Sequence, residues 1–131
     1  MTRKTHDPWT WQTGFGFSHG VEVATPRRVI EVSGQCATGP EGAPQASGDM
    51  AAQIQLSIDN IEAVLKLGGM DLSQVVRIRV FATDIAAALA NWSLVTQRFN
   101  SVGCRPASTL VGVTGLFSPD LMVEIEATAI E

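Results

Sequence analysis

The chain is short of positive charge, of cysteine and of long apolar runs, and each shortage removes a class of function. Nine Lys and Arg stand against 13 Asp and Glu, for a formal net charge of -4. Phosphate contacts need clustered Lys and Arg, so nucleic acid is not an expected partner. The two cysteines, Cys36 and Cys104, have no CxxC spacing and no nearby His pair. Neither a zinc site nor a disulfide framework follows, and free thiols without metal or cofactor are expected. No apolar run is long enough to span a bilayer, which removes the membrane as a partner. The opening MTRKTHDPWTWQ lacks the continuous apolar segment of a secretory signal, so a cytoplasmic protein is expected.

What is present fits one domain over residues 1–131. A chain of 131 residues buries roughly two-thirds of its unfolded surface in a single core, and 45% hydrophobic with 17% charged residues is ordinary for a folded protein. Met1 to Thr13, with Trp9 and Trp11, shows no period and reads as an extended N-terminal arm. Strands are expected over Phe17 to Val23 and Arg28 to Gln35, joined as an antiparallel hairpin by Thr25-Pro26-Arg27. Gly39 to Gly48 is loop by composition. Asp49 is placed to cap a helix to about Leu67, because Met50, Ile54, Ile58, Ile61 and Leu65 recur on one stripe. Off that stripe, Glu62 and Lys66 make a favourable i,i+4 pair.

Val75 to Phe81 reads as a β-branched strand, and a second helix, capped by Asp84, spans about Ala86 to Ser101 on a stripe of Leu89, Trp92, Val95 and Phe99. The last quarter reads as a strand-turn-strand unit, Ser108 to Val113 and Leu121 to Ala127. The order is therefore β-β-α-β-α-β-β, an α+β fold with both helices on one face of a mixed sheet. Val76, Ile78, Val80, Val123 and Ile125 should face the helices, leaving Arg77, Arg79 and Phe81 opposite with Glu124 and Glu126. In the second strand either Val29, Glu31, Ser33 and Gln35 or Ile30 with Val32 turn to the core. An uncovered face combining Phe81, Leu110 and Met122 with paired charges has the character of an interface; a monomer with a mixed wet face is the alternative.

Ser33-Gly34-Gln35, Phe81 to Asp84 (FATD), Pro106-Ala107 and Val123 to Ala127 (VEIEA) stand in the order and spacing of the reactive intermediate deaminases, and from about Phe17 to Ile130 the chain resembles that YjgF-like family. The resemblance implies a chorismate mutase-like fold assembled as a homotrimer, with a small-molecule ligand in clefts between subunits. It implies that Gly34 is the glycine whose backbone approaches the ligand, with Ser33 before it, and that Glu124 positions the water that hydrolyses an imine. A cleft glutamate acts as general base when burial raises its pKa.

The chain departs from the family's pattern at four positions. Ser108 stands where the family has an arginine that clamps the substrate carboxylate through two parallel hydrogen bonds. Phe17 stands where it has an aromatic hydroxyl, Trp92 where it has an asparagine, and Leu110 where it has a cysteine. Arg79 and Arg105 are the candidate replacements for the lost cation, with ion pairs between subunits the competing role for Arg77 and Arg79. Cys36 follows the Ser33-Gly34-Gln35 motif and could line the cleft mouth, although a buried thiol suits its unflanked position better. His19 has no local partner to orient it, and Trp92 falls on the helix stripe, where core packing is its default role. Three readings follow: a trimer binding an uncharged or weakly polar metabolite, hydrolytic through Glu124; a surviving deaminase of 2-aminoacrylate-type substrates; and a binding protein without turnover. The acidic balance disfavours a ribonuclease.

Overall fold

The Asp49 side chain accepts from the Ala52 backbone N–H at 3.0 Å and so starts α1, Met50–Leu67, where the spacing of its apolar residues places it. The whole predicted stripe of α1 is buried, and so is Gln53, which the pattern left outside it. This computed structural model describes residues 2–131. Its strands are β1 (Thr2–His6), β2 (Gly20–Ala24), β3 (Val29–Cys36), β4 (Val75–Ala82), β5 (Ala107–Gly112) and β6 (Val123–Ile130). A four-stranded mixed sheet runs β3-β6-β4-β5, with β4 and β5 parallel and the other pairs antiparallel.

The architecture is the expected α+β sheet with its helices on one face, but two local pairings are not the ones expected. The expected hairpin between the first two strands does not form: β2 pairs with β1 in a separate two-stranded ribbon. Arg28 exchanges backbone hydrogen bonds with Glu131, which locks the start of β3 onto the end of β6, so Thr25-Pro26 connects two sheets. The N-terminal arm is thus partly strand, and Trp11–Phe15 forms a 3-10 turn. Nor are β5 and β6 neighbours. The bridge between them carries the chain past β4, so that β6, which bears Glu124 and Glu126, inserts between β3 and β4 and gains two partners.

The second helix breaks in two, α2 (Ile85–Ala90) and α3 (Trp92–Asn100), because the Asn91 side chain donates to the Ala87 carbonyl at 2.9 Å and ends the first piece. Asp84 caps α2 as expected. Arg98 of α3 pairs with both Asp59 (2.8 Å) and Glu62 (3.2 Å) of α1, so Glu62 is bound across the helix pair rather than to Lys66.

The core lies between the helices and one sheet face, with Phe99, Ile58, Ile61, Ile78, Val80 and Ile125 all fully buried. Ile30 and Val32 turn inward, which resolves the register of β3. In β4 a register shift between Val75 and Arg77 puts Val75 in the core, while Val76 is only half-buried. Leu110 also differs from expectation, since it packs against the core cluster and does not share the open face with Phe81.

Candidate functional site

The predicted site residues fall into two groups within one protomer. The first lies on β3 and β6. A β-bulge between Val32 and Gln35 holds Ser33 and Gly34, and beyond it Cys36 comes opposite Glu124. The Glu124 side chain lies directly over Gly34, where a Cβ would sit 2.6 Å from its carboxyl carbon. Only glycine admits the carboxylate there. Cys36 Sγ donates to Glu124 Oε1 at 3.2 Å and is 4% exposed, so it does not line a cleft mouth. Burial, then the hydrogen bond to Glu124 and its charge, pushes the Cys36 thiol up to about 12. A thiol held protonated is no nucleophile at neutral pH; here it orients one carboxylate oxygen.

Beside this group, Ser33 shares a polar cleft of about 210 Å³ with Glu31, Arg79, Glu126 and Thr128. Arg79 Nη1 is 3.1 Å from Glu126 Oε1, and Arg77 donates to Thr109 Oγ1 at 2.6 Å. Both arginines therefore have partners within the protomer.

The second group borders a pocket of about 220 Å³ between the N-terminal segment, the helix pair and β5. Phe17, Trp92, Ser108 and Leu110 line it together, joined by Trp11, Phe15 and Leu89. Trp92 is both core and pocket wall: it is 8% exposed, and its indole N–H donates to the Phe15 carbonyl at 3.1 Å. Thr96 Oγ1 donates to the same carbonyl at 2.9 Å. Gly16, at φ +75, lets the chain pass so close to α3 that a Cβ would sit 2.7 Å from Thr96 Cγ2. The segment then runs alongside β5, with the Ser18 N–H donating to the Pro106 carbonyl (3.1 Å) and Ser18 Oγ to the Arg105 carbonyl (2.7 Å).

Trp11, Phe15 and Leu89 were missed as lining residues. The concentration of aromatics in WTWQTGFGF was the signal, obscured by reading Met1 to Thr13 as an extended arm and starting the first strand at Phe17. His19 joins the same cluster, edge-to-face with Trp9, Trp11 and Phe17, and its Nε2 is buried without a hydrogen-bond partner. Arg105 belongs to neither group. Its exposed side chain borders a different cleft, with Arg3, Thr5, Asn100 and Gly103.

No charged side chain lines the aromatic pocket. Among the described residues no group of His, Cys, Asp and Glu is arranged to hold a metal ion, and no helix is long and apolar enough to cross a membrane. Chemically, the first group offers an oriented carboxylate beside an open backbone, and the second a shaped apolar cavity with one hydroxyl.

Comparison with known proteins accords with this arrangement. The family profile described as Endoribonuclease L-PSP matches residues 12–131. The chain is 32% identical over 116 residues to protein DfrA of Myxococcus xanthus, covering 87% of this chain and 84% of the relative. It is 30% identical over 117 residues to the 2-iminobutanoate/2-iminopropanoate deaminase of Escherichia coli, covering 87% and 86%. Among solved structures, YyfB from Yersinia pestis, a protein of unknown function of the conserved Rid family, superposes with a TM-score of 0.84 at 32% identity over 100% of both chains. Escherichia coli TdcF with bound serine superposes with a TM-score of 0.71 at 27% identity over 88% and 87%. A profile that matches from Gln12 to the last residue, and a fold that superposes along its whole length on a Rid-family structure, place this chain in the L-PSP family, to which the YjgF-like Rid proteins belong.

Proposed function

We propose that the protein acts as a homotrimer that binds a small metabolite in clefts between subunits, and that it hydrolyses its ligand with water oriented by Glu124. One observation carries this reading: the oriented carboxylate and the ligand-sized pocket are each half of a site. Glu124 lines neither the polar cleft at Ser33 nor the aromatic pocket, and no acid or base lines the pocket at Ser108. A second copy whose Glu124 meets this pocket would complete both, and the half-buried face bearing Phe81, Glu124 and Glu126 is the surface it would cover. The family's carboxylate clamp is absent from the pocket, since Ser108 offers only a hydroxyl where the resemblance expects a guanidinium. An uncharged or weakly polar ligand suits that lining. In the hydrolytic step Glu124 would accept a proton from water as its oxygen adds to an electrophilic C=N carbon and return that proton to the nitrogen; the C–N bond of the resulting carbinolamine then breaks, the hydroxyl proton passing to the departing ammonia or amine as the carbonyl forms.

A second reading keeps the deaminase named for the Escherichia coli relative, with Arg79 supplying the missing charge. It is favoured by the position of Arg79 in the same polar cleft as Ser33. Ammonia release from 2-aminoacrylate separates the two: the first reading expects no acceleration, the second expects acceleration abolished by Arg79→Ala. Sedimentation equilibrium at micromolar concentration tests the assembly common to both, and a single folded copy would end them. If a trimer forms yet no labile imine or carbonyl compound is turned over, the protein is a binding protein and Glu124 is structural.

A further inference from the structure

Seven side chains line the pocket at Ser108, and six of them are aromatic or aliphatic. Its walls are held in place. Trp92 and Thr96 both bond the Phe15 carbonyl, which fastens the N-terminal turn to α3, while the two Ser18 bonds fasten the chain after Phe17 to the start of β5. The rings stand edge-on to each other: Trp11 and Phe17 have centroids 5.7 Å apart at 72°, and Trp11 and Phe15 6.4 Å apart at 77°. Aromatic walls of this kind favour a further ring packed edge-to-face or offset-stacked against them. The indole N–H of Trp92 is already spent on Phe15, so the polar side-chain groups left in the lining are Ser108 Oγ and the Trp11 indole N–H.

We propose that this pocket selects a neutral, planar aromatic group on the ligand, with Ser108 as its hydroxyl contact and Leu110 and Trp92 as the specificity-determining bulk. The proposal deepens the functional reading above and rests on the ligand binding where that reading puts it. Three observations fix the class. A cavity of about 220 Å³ holds a bicyclic ring of about nine heavy atoms but not a helix or strand of another copy. A carboxylate would lose its hydration against indole and phenyl rings with no cation to meet it. Trp11 and Phe15, 59% and 46% exposed, leave apolar surface at the mouth that an aromatic ring would cover.

The test is calorimetric titration of the folded, assembled protein with indole and, separately, with indole-3-acetate. Indole should bind with a dissociation constant of about 1 mM or tighter, and at least about tenfold more tightly than the carboxylate. Leu110→Trp should fill the cavity and weaken indole about tenfold or more. Should that variant fail to fold, Leu89→Trp, at a half-exposed position on the rim, tests the same space. Ser108→Arg should reverse the preference, so that indole-3-acetate binds the more tightly. Indole binding by a wild type that turns over no imine or carbonyl compound would end the hydrolytic reading and leave this proposal standing, so the two fail separately. The proposal is overturned if the folded wild type binds no indole, if it prefers the carboxylate, or if neither bulky variant weakens binding. Indole affinity that falls as protein concentration rises would also overturn it, because the pocket would then be occupied by a neighbouring copy.

Discussion

Raising the pH should destabilise this protein through one thiol. Cys36 is 4% exposed and donates to Glu124 at 3.2 Å, and its thiol is pushed up to about 12 from an ordinary value of 9.0. Below pH 9 both folded and unfolded chains hold the proton, and the contribution is fully present. Above it the unfolded chain releases the proton while the folded chain keeps it, so stability falls as pH rises, by about 1.4 kcal/mol per pH unit. Across the whole interval the loss is about 4 kcal/mol, a large part of a typical domain's 5–15 kcal/mol. The chain suits the measurement, since it has no tyrosine and its lysines are only Lys4 and Lys66. Burial also raises the Cys104 thiol, which bends the profile in the same direction and leaves a residual slope. Urea denaturation followed by tryptophan fluorescence at fixed protein concentration, from pH 7.5 to 11, should show the wild type losing stability above pH 9 and Cys36→Ala losing distinctly less. Thiolate absorbance, unobscured by tyrosine, gives the titration directly. Parallel profiles for the two proteins would refute the reasoning. So would a thiol reagent that modifies Cys36 as quickly in the native protein at pH 8 as in urea.

Gly34→Ala places a methyl 2.6 Å from the Glu124 carboxyl carbon, so it should displace the carboxylate, and the Cys36 titration should move down toward its ordinary value in the same absorbance assay. Any turnover dependent on Glu124 should fall about tenfold or more with it. Gln53→Leu removes the bonds that tie α1 to the Ala46 carbonyl (3.1 Å), the Asp120 carbonyl (2.9 Å) and the Met122 N–H (2.8 Å). It should cost about 2 to 4 kcal/mol in urea, more than the added apolar burial returns. Phe99→Ala, at a 1% exposed position of the core, should cost about 3 to 5 kcal/mol, read as a lower denaturation midpoint at unchanged slope.

The elements were legible where a local rule had no competitor. Asp49 and Asp84 cap as their positions predict, and the stripe of α1 is buried as its spacing requires. Glu124 and Glu126 alternate with buried Val123 and Ile125 because strand geometry leaves a period-two pattern no other choice. Strand partners were not legible. The turn at Thr25-Pro26 and the bridge after Val113 both resemble hairpin connections, yet neither joins neighbouring strands. Hairpin signals are local, whereas pairing is decided by which edge a distant strand, here β6, can occupy with its apolar face inward.

For the site, the sequence alone named the candidates: Gly34 and Glu124, and Ser108 where the family resemblance expects an arginine. The tertiary structure alone decided their company. A one-residue bulge in β3 brought Cys36 to Glu124, and the packing of the N-terminal turn on α3 made a pocket of Trp11, Phe15 and Phe17 with Ser108. Neither contact leaves a periodic trace in the chain, because they join segments 88 and 77 residues apart through single hydrogen bonds and close backbone approach rather than through a repeating apolar face.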